Sequence, residues 1–286
     1  MKDIKVAAIS MISKPANPEE NIKRHIEWIE KAVSCNVDWC LFPEMSITGF
    51  CFDRNFYQAS EPFNGPSTQK MIEVAKKFNI TIGFGIAEKD ETDIIRNTYV
   101  FVSPDGFLGR YRKTHIPPLE YTIETSGDEF TVINTKKARV GVNICFDNWF
   151  CESGRISYLN GAEIIIAPFY MSWGSDDIRT DPLKAYNDWK ELVLINFRAV
   201  AWQNGVYHIT INSCGGVNEK GVEYYGPPLI IIINPMGEIE AETKPGQTTE
   251  QMIVHTLKAE TLIKRRSDAL FHPRYRRPHI YRRISQ

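Results

Sequence analysis

Nine short apolar runs, separated by helical stretches and tight turns, constrain this chain more than any other feature. The first, Ile4–Ser10, is apolar at most positions rather than at alternate ones. A strand of that kind must be covered on both faces, because a strand with one wet face would alternate. Comparable runs predict strands at Val37–Phe42, Ile80–Ala87, Thr98–Ser103, Phe107–Arg112, Ala138–Cys145, Ala162–Phe169, Val206–Asn212 and Leu229–Ile233. Helical stretches fit Ser67–Lys77, Phe150–Asn160 and Pro182–Asn204, the last carrying Tyr186, Trp189, Val193 and Phe197. A further helix opens at Asn17-Pro18-Glu19-Glu20, with Asn at the N-cap, Pro in the first turn and Glu20 placed for a capping box. Within it Ile22, Ile26, Ile29 and Val33 recur at helical spacing and mark the face expected to pack inward. Pro104-Asp105-Gly106 and Pro235-Met236-Gly237 read as hairpin turns.

No Gly/Ser tract or low-complexity linker divides this order, so one α/β domain over 1–286 is expected, with two sheets covered by helices. A strand–helix–strand unit near the start, ending in Pro43-Glu44, is faintly echoed at 138–169.

Composition removes several classes. At 286 residues and 43% hydrophobic content the chain can bury a large core, yet no apolar run reaches the ~20 residues needed to span a bilayer. Met1–Ser13 has a minimal apolar stretch and no A-x-A cleavage site, so a buried strand explains it better than a secretory signal. A cytoplasmic location without membrane contact is the expectation. Six cysteines are too sparse for a disulfide scaffold, and none are spaced C-x-x-C. The histidines show no zinc-ligand spacing, and neither a phosphate-binding loop nor a G-x-G-x-x-G is present. No metal or organic cofactor is therefore expected, and each cysteine must be judged alone.

Net charge is −1, but it is unevenly placed. Lys264 to Arg283 holds eight Lys/Arg against Asp268, a balance of +7, which leaves −1 − 7 = −8 for the rest.

Three segments put a reactive side chain where an apolar strand ends: Leu41-Phe42-Pro43-Glu44, Tyr111-Arg112-Lys113-Thr114-His115, and Gly141-Val142-Asn143-Ile144-Cys145-Phe146-Asp147. Ligands of open α/β sheets bind beyond the carboxyl ends of strands, so three such groups can share one cleft. Taken singly, Glu44 reads as a solvated loop residue, Lys113 as surface charge and Cys145 as a small buried hydrophobe.

Taken together, the segments resemble the nitrilase, or carbon–nitrogen hydrolase, superfamily, whose members use a Glu-Lys-Cys triad. Asp147, Trp149-Phe150 and Glu152 are similar to its D-x-W-F-P-E segment, with Arg155 following. Gly161-Ala162-Glu163 leading into Ile164–Pro168 resembles its G-A-E-strand-P element, and Arg198–Tyr207 its R-A-x-E-N-G-x-Y segment. Arg276-Arg277-Pro278-His279-Ile280-Tyr281 resembles a C-terminal R-R-P-x-x-Y. A second family glutamate precedes a P-G-D turn; here Ser126-Gly127-Asp128 occupies that turn, and Glu120 stands at the family interval of seven residues before Gly127. Glu124 is the alternative at the wrong spacing. Departures from the pattern are Cys151, Ser126, Gln203 and the Gly226-Pro227-Pro228 turn, none of which removes a reactive group.

The resemblance implies a four-layer α-β-β-α sandwich, a homodimer or larger assembly, and a basic segment at 264–286 packed across a subunit interface. It also implies hydrolysis of a small amide or N-carbamoyl compound by water, with Glu44, Lys113, Cys145 and Glu120 as the catalytic set. The chemistry suits these residue types. A cysteine is mostly thiol at neutral pH, its unperturbed pKa being about 8.5, so it needs a base and a cation nearby. Glu44 can take the proton, and Lys113 can meet the developing oxyanion. Members acting on nitriles often carry Cys-Trp-Glu. Cys145-Phe146-Asp147 looks closer to the amidase and N-carbamoyl hydrolase branches, with nitrile hydrolysis as the alternative. Pocket candidates are Phe50, Phe146, Asp147, Trp149, Tyr170, Met171 and Trp173; Asp147 has the competing role of capping the helix near Asn148. A scaffold without activity, or nucleic-acid binding through the basic tail, are rivals of another class. The acidic remainder of the chain and the intact reactive residues weigh against both.

Overall fold

Runs that are apolar at successive positions need a partner on each face, and the arrangement of the strands supplies both. The computed structural model describes residues 1–171, 181–215 and 226–285. Its strands are β1 (Ile4–Ser10), β2 (Trp39–Leu41), β3 (Thr81–Lys89), β4 (Ile95–Ser103), β5 (Gly106–Arg112), β6 (Val132–Asn134), β7 (Arg139–Val142), β8 (Ile164–Phe169), β9 (Tyr207–Asn212), β10 (Ile230–Ile233), β11 (Ile239–Glu242) and β12 (Gln251–Leu257). They form two six-stranded sheets, in the orders β12-β1-β2-β3-β4-β5 and β11-β10-β9-β8-β7-β6. Each has three parallel strands, β1-β2-β3 and β7-β8-β9, flanked by antiparallel neighbours. The unit echoed in the sequence is real: β1 and β2 are joined by helix Pro18–Val33, β7 and β8 by helix Cys151–Leu159.

The period of two explains the unbroken apolar runs. Val6 and Ala8 of β1 face the second sheet and share a core with Leu41, Tyr99, Val140, Ile164 and Ile209. Ala7 and Ile9 face the other way, where they meet Ile29, Ala32, Met71 and Ala75 of helices Pro18–Val33 and Pro66–Phe78. Behind the second sheet, Ile165 of β8 packs with Val200 of helix Pro182–Asn204 and with Tyr158 of helix Cys151–Leu159. The result is the four-layer α-β-β-α sandwich. Each fully buried Ile, Val or Phe in it contributes roughly 1.5–3 kcal/mol of transfer free energy.

Several local expectations needed adjustment. Asn17 does cap its helix, accepting from the Glu20 N–H at 3.2 Å, but the Glu20 carboxylate pairs with Lys14 rather than closing a capping box. The most buried stripe of that helix is Asn21, His25, Ile29 and Ala32, with two polar members that a hydrophobic pattern cannot reveal. β7 ends at Val142, short of the predicted Cys145, because the chain turns sharply there. β6, β11, β12 and helices Arg54–Ala59 and Ala259–Ser267 carried no clear apolar run. β12 is an edge strand, only half-buried, that returns from far along the chain to pair antiparallel with β1.

The basic segment begins by docking on its own chain. Arg265 is 2% exposed and donates to the Trp202 carbonyl at 3.0 Å. Arg266 donates to the carbonyls of Gly205 and Ala162 at 2.9 and 2.7 Å. Two cations thus sit at the carboxyl end of helix Pro182–Asn204, where unpaired carbonyls and the helix dipole favour positive charge. Residues 277–284 lie exposed.

Candidate active site

The three reactive side chains flagged at strand ends meet between the sheets. Glu44 follows β2 and is 1% exposed. Its Oε1 accepts from Asn97 Nδ2 at 2.6 Å and Lys113 Nζ at 2.8 Å, and its Oε2 accepts from the Tyr170 N–H at 2.7 Å. The loop carrying it is braced against β3. Ile47 N–H donates to the Gly85 carbonyl at 3.0 Å, and the Thr48 hydroxyl accepts from the Ala87 N–H at 2.8 Å. Ser46 Oγ accepts from the Gly85 N–H and bonds His25 Nε2 at 3.0 Å. Gly85 is required by this approach: a Cβ there would lie 2.2 Å from Met45 N and 2.9 Å from the Glu44 carbonyl carbon.

Lys113 leaves β5 and is wholly buried. Its ammonium bonds Glu44 at 2.8 Å and Glu120 at 2.5 Å. Glu120 opens the short turn Glu120–Thr122, part of an excursion that the Gly127 N–H closes on the Lys113 carbonyl at 2.7 Å. A Cβ at Gly127 would stand 2.5 Å from the Arg112 carbonyl oxygen, so this turn also needs glycine.

Cys145 sits at φ +43° where β7 gives way to the turn Cys145–Trp149. A non-glycine residue in that conformation is strained and needs support from its surroundings. Asp147 and Asn148 provide it. The fully buried Asp147 carboxylate accepts from the Ile144 N–H at 2.9 Å, Tyr111 Oη at 2.8 Å and the His115 N–H at 2.9 Å, with His115 Nδ1 also at 2.9 Å. Asn148 Nδ2 donates to the Asn143 and Cys145 carbonyls at 2.7 and 3.0 Å.

The electrostatics follow from burial among charges. Exclusion of water pushes the Cys145 thiol well above its ordinary range, and the negative charge of Glu44 adds to this while Lys113 opposes it. Burial also raises Glu44, with Lys113 pulling the other way. Burial works against the Lys113 cation, but Glu44 and the other acidic groups outweigh it and hold its pKa well above the usual value. The resting site therefore keeps a thiol beside a carboxyl–ammonium pair. A proton can pass from sulfur to Glu44 while Lys113 Nζ faces charge that develops nearby.

The pocket candidates divide. Phe50 and Tyr170 stack at 5.5 Å on the Glu44 side, and the main chain of Met171 is tied to the Asn212 side chain at 3.0 and 3.2 Å. Phe146 follows Cys145 and meets Phe150 edge-on at 5.4 Å. Trp149 turns toward the core, 6.1 Å from Phe197. The Asp147 oxygens are taken by the main chain, Tyr111 and His115; the residue does not cap a helix starting near Asn148 but lies inside the turn Cys145–Trp149 and reaches back to the Ile144 N–H. Trp173 lies outside the described residues.

A model of the carbon-nitrogen hydrolase family matches residues 5–267. The chain belongs to that family. A nitrilase from Pyrococcus abyssi is 31% identical over 242 residues, covering 82% of this carbon–nitrogen hydrolase and 83% of the relative. The N-carbamoylputrescine amidase of Arabidopsis thaliana is also 31% identical over 242 residues, 80% of this chain and 76% of that one. The crystal structure of a carbon-nitrogen hydrolase from Helicobacter pylori G27 superposes with a TM-score of 0.82 at 22% identity, covering 99% and 98% of the two chains, which speaks to the fold.

Within this carbon–nitrogen hydrolase, sequence reasoning missed Asn97, His25 and Ser46. Each acts through a hydrogen bond across strands or from a helix to a loop, and no local pattern marks such a residue. Glu124, considered only as an alternative to Glu120, is itself 4% exposed and adjoins the same cluster. Among the described residues no cluster of His, Cys, Asp and Glu is arranged to hold a metal ion, and no helix is long and apolar enough to cross a membrane.

Proposed function

We propose that this carbon–nitrogen hydrolase cleaves a small linear amide or N-carbamoyl compound through a thioester or carbamoyl-enzyme on Cys145. Glu44 takes the thiol proton as sulfur attacks the carbonyl carbon. Lys113 and a main-chain N–H just after Cys145 hold the oxyanion of the tetrahedral intermediate. Glu44 returns the proton to the departing nitrogen, and ammonia or an amine leaves. Water then enters, Glu44 removes its proton, and attack on the thioester frees the acid and regenerates the thiol. Glu120 fixes Lys113 throughout. Residues 277–284, exposed in the single chain, are the proposed subunit contact of a homodimer or larger assembly.

The observation that carries this reading is one buried cluster in which Glu44 touches the Lys113 ammonium at 2.8 Å and both charges act on the buried Cys145 thiol. Cys145-Phe146-Asp147 favours the amide branches, as does the likeness to the plant amidase. Nitrile hydrolysis is the second reading, favoured by the 31% identity to the archaeal nitrilase. A panel of ω-amides, N-carbamoyl amines, N-carbamoyl amino acids and nitriles, followed by ammonia release, separates the two. Turnover of amides or carbamoyl compounds supports the proposal, and activity confined to nitriles overturns it.

A further inference from the structure

Glu124 lies four residues after Glu120, and its N–H donates to the Glu120 carbonyl at 3.0 Å, so one turn brings both side chains to the same side. Its carboxyl is buried, and neither oxygen meets a donor among the described residues. The Lys113 ammonium is directed at Glu44 and Glu120 instead. Glu120 stands four residues earlier on the same turn, and its charge acts on Glu124. Two ionised carboxylates only accept, so a bond between them requires one shared proton. A second buried anion with no donor would also be strongly disfavoured.

We propose that Glu124 is a protonated acid whose O–H donates to the Glu120 carboxylate and so orients the group that holds Lys113. Glu120 keeps the negative charge because it faces the ammonium at 2.5 Å, whereas Glu124 has no such bond. Burial raises the Glu124 carboxyl well above the usual carboxylate range; Lys113 opposes this and the nearby Glu120 adds to it. Glu124 is a positioning residue, acting on the reaction through Glu120 and Lys113.

The groups facing it set the pH response. Lys113, Glu120 and Glu44 act on its charge, and Cys145 acts on that of Lys113. On the outer side Glu124 shares a cleft of about 400 Å³ with Asp53, Tyr57, Asp93 and Tyr121. Ionising Glu124 as pH rises places another anion in a cluster whose carboxylates already disfavour the Cys145 thiolate. The alkaline fall in kcat/KM should therefore begin earlier in the wild type than in Glu124→Gln, which cannot ionise.

The inference rests on the Glu–Lys–Cys reading only for its effect on rate; the proton itself is read without substrate. Difference infrared spectra of the free protein at neutral pH should show a carboxylic-acid C=O stretch that Glu124→Gln removes. In turnover, Glu124→Gln, whose amide N–H replaces the O–H donor, should keep most of kcat. Glu124→Leu should lose about ten- to a hundredfold, the worth of one hydrogen bond to a charged group. No acid band in the wild type, or a band that survives in Glu124→Gln, overturns the proposal. So does Glu124→Leu turning over like the wild type, or a Glu124→Gln pH profile superimposable on it. The wild-type spectrum decides even where the variants fail to fold.

Discussion

Glu44 and Lys113 meet in a 2.8 Å ion pair whose side chains are 1% and 0% exposed. Lys113 is the shared cation of Glu44 and Glu120, and a buried ion left unpaired costs several kcal/mol. Lys113→Met is therefore expected to abolish turnover and to lower stability by about 3–5 kcal/mol, since it leaves the Glu44 and Glu120 carboxylates without their cation. Thermal unfolding measured beside activity checks this; a variant as stable as the wild type would contradict the pairing.

Asp147 braces the strained Cys145 turn through the Ile144 N–H and the Tyr111 hydroxyl. Asp147→Ala leaves the buried Ile144 N–H and the His115 N–H without their acceptor, at about 1–3 kcal/mol for each. The expected phenotype is a lower melting temperature together with a fall in kcat. A variant of unchanged stability that only raised KM would return Asp147 to the pocket.

Gly85 sets where the Glu44 loop can lie. Gly85→Ala drives a Cβ to 2.2 Å from Met45 N and must shift that loop. Overpacking of this kind costs about 1–3 kcal/mol. A shift of the base by about 1 Å lowers rate on the order of a hundredfold. Activity should thus fall far more steeply than stability, and parallel assays of both would expose any other outcome.

Acid should destabilise the fold through His25 and His208. Burial lowers them to about 4 and about 3 respectively. Between those values and the unfolded pKa of 6.5, the unfolded chain binds protons that the folded chain refuses. Stability is therefore fully present above pH 6.5 and falls as pH drops toward 4. For His25 alone the loss is on the order of 3 kcal/mol. Melting temperatures across this range should decline, and His25→Gln should flatten the slope. An unaltered slope in that variant would count against the assignment. The catalytic acid limb should likewise stand above the ordinary carboxylate range, because burial raises Glu44.

Layer order, the parallel strand units and the meeting of Glu44, Lys113 and Cys145 were legible because each rests on a local signal. Unbroken apolar runs demanded two covered faces, and reactive residues at strand ends, joined by the family resemblance, pointed to a common cleft. What stayed hidden rests on distant pairing. β12 is half-buried and pairs with β1 from the far end of the chain. His25 falls on a helix face whose isoleucines drew attention elsewhere, yet it braces the Glu44 loop through Ser46. The basic segment reads as a uniform +7 stretch, but Arg265 and Arg266 are individually drawn to carbonyls at a helix end that only folding brings near.

The central claim is that Cys145 carries the acyl or carbamoyl group. Acid-quenched mass spectrometry of the protein during turnover, with peptide mapping, tests it most directly. An adduct of the acyl or carbamoyl mass is expected on the peptide holding Cys145. That adduct should accumulate in Glu44→Gln given an activated ester, and Cys145→Ala should show neither adduct nor turnover. Turnover persisting in Cys145→Ala, or an adduct mapped to another residue, would contradict it.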